Sequence, residues 1–227
     1  MLAERLLERA TAESPVSYLK RDTRNLEGYR IRDPAMVREL LEATLPEQVD
    51  ALLTQFFCSE YLVHWFTLSR TAPAAVQNSI SFRWHCDRGP KAHLKLLVYL
   101  NGAETHAGGT ALLNLVDTAL LAEKGYLFGR GRKRTVEIGE LSRLAGRDIV
   151  PDLRPMRAGE GIVFQPATTL HSGISPRSGP RFVLTLCLLP SPVHWKEALQ
   201  CGTMTDLTEQ YLWHSHASEL LRRMEKG

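Results

Sequence analysis

Apolar residues recur along the chain in three regimes: a helical front, a strand-rich middle and a helical tail. Leu2, Leu6 and Leu7 stand at helical spacing between Glu4, Arg5, Glu8 and Arg9, which predicts a short amphipathic helix over Met1 to Ala12. Ser14-Pro15 ends it, and Val16 to Ile31 reads as irregular or extended chain. Asp33-Pro34, an aspartate cap before a proline suited to the first helical turn, opens a second helix through VRELLEATL. Pro46 opens a third, whose stripe of Val49, Leu52, Leu53, Phe56 and Phe57 is a core-packing face.

From Tyr61 the pattern changes. Tyr61 to Arg70 is rich in aromatic and β-favouring residues and ends at the turn-like TAPAA of Thr71 to Ala75. Further strands are expected at Ser79 to Asp87, Leu94 to Leu100, Thr110 to Asn114, Gly161 to Phe164 and Phe182 to Leu188, separated by glycine- and proline-bearing turns. Between them, Val116 to Met156 reads as an insert too polar for the core, containing GRGRKR (Gly129 to Arg134) and a helix-like GELSRLAG. From Thr205, TDLTEQYLWHSHASELLRRMEKG starts with a capping residue and continues as an amphipathic helix. Helices first and strands afterwards argue for an α+β fold, with the helices to one side of a β-sandwich.

A chain of 227 residues, 44% hydrophobic and 23% charged, fits one domain and buries roughly 70% of its unfolded surface. The expected divisions are helical support over 1–60, a strand core over 61–190 interrupted by the 116–156 insert, and a terminal helix over 205–227. No apolar run approaches the roughly 20 residues of a membrane helix, and the first 13 residues lack a signal-peptide core, so the expected location is the cytoplasm. Cys58, Cys86, Cys187 and Cys201 form no CxxC pair and read as reduced thiols. A net charge of +3 is too mild to imply nucleic acid, but it permits an anionic substrate.

The chemistry concentrates in SFRWHCDRGPKAHLKLLVY, Ser81 to Tyr99. On a strand His85 and Asp87 share a face, whereas Trp84 and Cys86 point away, to sandwich packing in the case of Trp84. An imidazole and a carboxylate on one face, completed by a distant histidine, make the facial triad of non-haem Fe(II) oxygenases; His171 is the candidate third ligand. Among eight histidines a His-x-Asp triplet alone is a weak signal, so the flanks decide. YLN at Tyr99 to Asn101, the glycines 108 and 109, and LHSGISPRSGPR from Leu170 to Arg181 follow in a fixed order. Together, over roughly Gln77 to Pro190, these motifs resemble the iron(II)- and 2-oxoglutarate-dependent dioxygenase superfamily. The WHxD stretch is most similar to its phytanoyl-CoA dioxygenase-like branch, and YLN to its prolyl-hydroxylase-like members.

That resemblance implies a jelly-roll (double-stranded β-helix) core. It also implies Fe(II) held by His85, Asp87 and His171, with 2-oxoglutarate and dioxygen as co-substrates. Arg181, ten residues after His171, takes the position that grips the distal carboxylate of 2-oxoglutarate. A guanidinium can do so through two parallel hydrogen bonds, and Arg177 is then the exposed arginine of the pair. Tyr99 stands where related members use a tyrosine for the same carboxylate, although packing with a locally satisfied hydroxyl is the other reading. Lys95 shares Tyr99's face and is a further candidate for the co-substrate, or else a paired or snorkelling charge. His93 and His106 read as solvent-facing or substrate-side. Arg130, Arg132, Lys133 and Arg134 read either as a solvated loop or as a clamp at the mouth of the site. The implied activity is hydroxylation of a small-molecule or carrier-bound substrate with release of succinate and carbon dioxide. The alternative is a non-catalytic cupin-like jelly roll that binds a metal or ligand.

Overall fold

The computed structural model describes residues 26–29, 34–73, 80–88, 90–126 and 134–201, together with Arg5 and Glu8. The helix expected over Met1 to Ala12 lies outside them apart from those two residues, as do the tail helix from Thr205 and all of the basic run but Arg134. In chain order the described elements are β1 (Leu26–Tyr29), α1 (Pro34–Thr44), α2 (Glu47–Phe57), β2 (Glu60–Thr71), a 3-10 turn at Ile80–Phe82, β3 (Leu94–Tyr99), α3 (Ala103–His106), β4 (Gly109–Leu112), α4 (Leu115–Glu123), α5 (Ile138–Ala145), β5 (Gly161–Phe164), β6 (His171–Ile174), β7 (Arg181–Ser191) and α6 (Trp195–Gln200).

The strands form two antiparallel sheets, ordered β1-β2-β7-β3-β5 and β4-β6. Single bridges extend the smaller one: His85 pairs with His171 beyond β6, and Asp152 pairs with Leu112 beyond β4. The sheets face each other as a jelly-roll sandwich. Tyr99 of β3 donates its hydroxyl to Thr110 of β4, and Phe164 of β5 packs edge-on against His171 of β6.

Alternation along the strands sorts the larger sheet into two faces. Phe66, Leu68, Leu94, Leu96, Leu184, Leu186 and Leu188 join Met36, Val37, Leu40, Leu41 and Leu53 of α1 and α2 in the main apolar cluster. On the other face Lys95, Leu97 and Tyr99 alternate along β3 and Arg181, Val183, Thr185 and Cys187 along β7, toward the smaller sheet. A register shift in β2 between Val63 and Trp65 changes the parity of that strand. Tyr61 and Val63 therefore face the helices, while Trp65 two residues later faces the interior.

Two expectations are corrected. Of the strand expected over Ser79 to Asp87, the described residues 80–87 form none: Ile80–Phe82 make a 3-10 turn and only His85 is bridged. The neighbouring backbone amides are committed elsewhere, Trp84 N–H to the Thr135 carbonyl and Asp87 N–H to that of Pro166, both at 2.8 Å. The insert is also less polar in effect than its composition suggests. Leu121, Leu141, Ala145 and Ile149 pack with Trp84, Cys86, Ala111, Leu113 and Leu170 in a second core on the outer side of the smaller sheet.

One carboxylate ties the helical layer to the sheet. Asp50 of α2 accepts hydrogen bonds from the Tyr61 hydroxyl, from Trp195 Nε1 at 2.9 Å and from His194 Nε2 at 3.1 Å. His194 is also the cap of α6: its Nδ1 accepts from Lys196 N–H, so the ring proton sits on Nε2 and faces Asp50. Burial raises the Asp50 pKa, but the bonds from Tyr61 and Trp195 and the neighbouring His194 outweigh it and hold the carboxyl below its usual 3.8. A depressed carboxyl pKa contributes stability above the unfolded value that is lost as pH falls through the folded one. Asp50→Ala should lower unfolding stability in urea by about 2–4 kcal/mol at neutral pH. The gap between wild type and variant should narrow as pH falls below the 3.8 of the free side chain.

Candidate metal centre

The two histidines of the triad are brought together by backbone pairing. His85 N–H donates to the His171 carbonyl and His171 N–H to that of His85, both at 2.9 Å. Directly opposed residues in an antiparallel pair share a face, and the two ring centroids lie 4.2 Å apart. Asp87, two residues after His85, returns to the same side, while Trp84 and Cys86 enter the second core as expected. The candidate ligand atoms of His85, Asp87 and His171 all lie within 4.8 Å of one another.

The hydrogen bonds fix which atoms face the centre. His85 Nδ1 lies 2.6 Å from the Arg83 carbonyl, and His171 Nδ1 lies 2.9 Å from that of Thr169. A carbonyl only accepts, so each Nδ1 carries the proton and each Nε2 keeps its lone pair. Both Nε2 atoms point at Asp87 Oδ1, at 3.4 Å from His85 and 3.8 Å from His171. Two imidazole nitrogens and one carboxylate oxygen are a donor set suited to a divalent transition metal, with the Nδ1 bonds as orienting contacts. Burial first, then the neighbouring His85, pushes the His171 pKa down to about 3, so that ring is neutral across the physiological range. Burial raises the Asp87 pKa, but the neighbouring His85 and His93 rings and the charge of Lys95 hold it well below the carboxylate range.

The other oxygen of Asp87 is occupied by groups on β3 and just before it. Lys95 forms an ion pair with Oδ2, and His93 Nε2 lies 3.9 Å from it. The Lys95 ammonium also lies over the Trp65 ring, 5.8 Å from its centroid. Lys95 is therefore a paired interior charge. His93, expected to be solvent-facing or substrate-side, is buried on the site side, with Nδ1 bonded to the Pro90 carbonyl. Even spacing along His93, Lys95, Leu97 and Tyr99 is the signal that would have placed it. His106 is likewise buried rather than exposed, its Nδ1 accepting from Gly108 N–H, because α3 is tied down on both sides by bonds to Met156 and Arg177.

Arg181 lies at the other end of the interior. It is buried where Arg177 is exposed, and its Nη1 donates to the carbonyls of Gly109 and, at 3.1 Å, Ile174. Its Nε has no hydrogen-bond partner among the described residues, and neither does the buried hydroxyl of Ser175, next to Ile174. Burial lowers the guanidinium pKa. A buried charge of this kind with donors to spare suits an incoming carboxylate. Tyr99 lies in the same interior with its hydroxyl donated to Thr110 at 2.9 Å, so its local partner is present. Of the basic run, Arg134 is buried within electrostatic reach of Asp87, and its carbonyl accepts from Arg83 Nη1 at 3.0 Å.

The second core holds the histidine strand in place. Leu170 N–H, immediately before His171, donates to Thr118 Oγ1 of α4 at 3.2 Å. Thr118→Val keeps the volume and orphans that buried donor, which should lower stability by about 1–3 kcal/mol in denaturant unfolding.

No family model matches the sequence, and no curated protein matches it. Solved structures do. The 2-oxoglutarate-dependent epimerase SnoN from nogalamycin biosynthesis superposes with a TM-score of 0.52 at 16% identity, over 83% of this chain and 74% of that one. HygX from Streptomyces hygroscopicus, with nickel and 2-oxoglutarate bound, gives 0.50 at 11% identity, covering 85% and 80%. A 2OG-Fe(II) oxygenase family oxidoreductase from Burkholderia pseudomallei gives 0.50 at 12%, covering 85% and 79%. At such identities the likeness speaks for the fold: this chain has the jelly-roll fold of the iron(II)- and 2-oxoglutarate-dependent oxygenases.

Proposed function

We propose that this protein couples oxidative decarboxylation of 2-oxoglutarate to hydroxylation of a small-molecule substrate. The observation that carries the reading is the convergence of His85 Nε2, His171 Nε2 and Asp87 Oδ1 on one point, in the same interior as the buried Arg181. Similar structures hold nickel with 2-oxoglutarate in HygX, and Fe3+ with α-ketoglutarate and nogalamycin RO in SnoN. Net, one 2-oxoglutarate, one dioxygen and one substrate C–H give succinate, carbon dioxide and C–OH.

His85, Asp87 and His171 would hold Fe(II), which with 2-oxoglutarate supplies the activation of dioxygen. The chain supplies binding, orientation and a dry interior. The two Nδ1 bonds keep both imidazoles aimed, and Phe164, its ring centroid 5.0 Å from that of His171, covers that ligand. Arg181 and Ser175 offer free donors to the distal carboxylate. Tyr99 stands beside them, and its hydroxyl, already donated to Thr110, can accept one bond more. The carboxylate at position 87 favours hydroxylation over halogenation, which needs that coordination position for a halide. Arg134 and the basic residues before it in sequence favour an anionic substrate, whether free or carried on a larger molecule.

Wild-type protein supplied with Fe(II), ascorbate and 2-oxoglutarate should release succinate. His171→Ala should abolish that release and weaken Mn(II) binding in calorimetry. Wild-type Mn(II) affinity in the variant would remove His171 from the site. Arg181→Leu should raise the Kd for 2-oxoglutarate by about 30-fold or more, equivalent to about 2 kcal/mol. A change below about threefold would send the carboxylate anchor elsewhere.

A further inference from the structure

Lys95 is a cation placed where a metal centre would repel it. Its ammonium pairs with Asp87 Oδ2 inside the sandwich, with only 18% of the side chain exposed. An ion held by His85, Asp87 and His171 would share that carboxylate with the ammonium. Repulsion between like charges at such range is strong where water is scarce. Metal and Lys95 therefore oppose each other unless a further anion joins them.

The interior suggests which anion. Arg181 reaches the carbonyl of Ile174, three residues along β6 from His171, a separation of about 10 Å along the strand. Lys95 stands at the triad end, opposite Phe164 in the register of β3 and β5, and Arg181 stands at the other end. Two interior cations, Arg181 buried and Lys95 partly so, at the two ends of one interior match a short dianion with a carboxylate at each end. We infer, building on the co-substrate reading above, that Lys95 receives the carboxylate of 2-oxoglutarate distant from Arg181 and so makes metal and co-substrate binding interdependent. Mn(II) alone binds weakly because Lys95 competes for Asp87; Mn(II) with 2-oxoglutarate binds tightly because the ammonium gains a partner. By linkage, the metal raises the affinity for 2-oxoglutarate by the same factor.

Mn(II) titrations of wild type, Lys95→Met, Lys95→Gln and Lys95→Arg, each with and without saturating 2-oxoglutarate, test this. The two neutral variants should bind Mn(II) alone about tenfold more tightly than wild type, and their enhancement by 2-oxoglutarate should be about tenfold smaller. Lys95→Arg keeps a charge that cannot be shed and should retain wild-type behaviour. Neutral variants with wild-type Mn(II) affinity and undiminished enhancement would overturn the role of Lys95 while leaving the metal site standing. Wild type that binds no Mn(II), or His171→Ala that binds it as wild type does, would instead strike at the co-substrate reading itself.

Discussion

The structure depends on one antiparallel residue pair. His85 and His171 come from distant parts of the chain, and nothing local aligns them; two mutual backbone hydrogen bonds do. Each lies where a strand ends or is reduced to a single bridge, so the packing behind must hold the pair. The second core does so with Trp84 and Cys86 flanking His85, Leu170 preceding His171 and the α4 hydroxyl of Thr118 capturing the Leu170 amide. Forming a site from remote segments costs loop-closure entropy, and folding the sandwich meets that cost before any ligand arrives.

Electrostatics give the interior its direction. One end carries Asp87 with two imidazoles and the Lys95 ammonium; the other carries Arg181 against backbone carbonyls. Buried charges are costly when left unpaired, and Asp87 has its partner in Lys95, whereas Arg181 has only carbonyl acceptors among those described. An imbalance of that kind is a binding feature more readily than a stabilising one, because removing the charge would relieve the fold.

Much of the site was legible in the sequence because it obeys a period of two. His85 and Asp87 converge while Trp84 and Cys86 point to the packing side, and Lys95 and Tyr99 share the interior. The proline and glycine punctuation likewise announced α1, α2, β3 and β5. What the sequence left unread lies where tertiary pairing overrides local pattern. His171–Ile174 reads HSGI, too short and glycine-bearing to look like a strand, and exists as one because β4 lies beside it. Trp65 turns inward only because β2 slips by one residue, a shift with no marker in its sequence. The insert's apolar residues are sparse along the chain, yet α4 and α5 gather them onto one surface.

The central claim is that His85, Asp87 and His171 hold a divalent metal beside a 2-oxoglutarate anchored by Arg181. Crystals grown with Mn(II) and 2-oxoglutarate, with diffraction collected to locate Mn by its anomalous signal, test it most directly. The account predicts one strong peak within about 2.0–2.4 Å of His85 Nε2, His171 Nε2 and Asp87 Oδ1, with one 2-oxoglutarate carboxylate on the Arg181 guanidinium. A peak elsewhere, or a co-substrate that leaves Arg181 uncontacted, would contradict it.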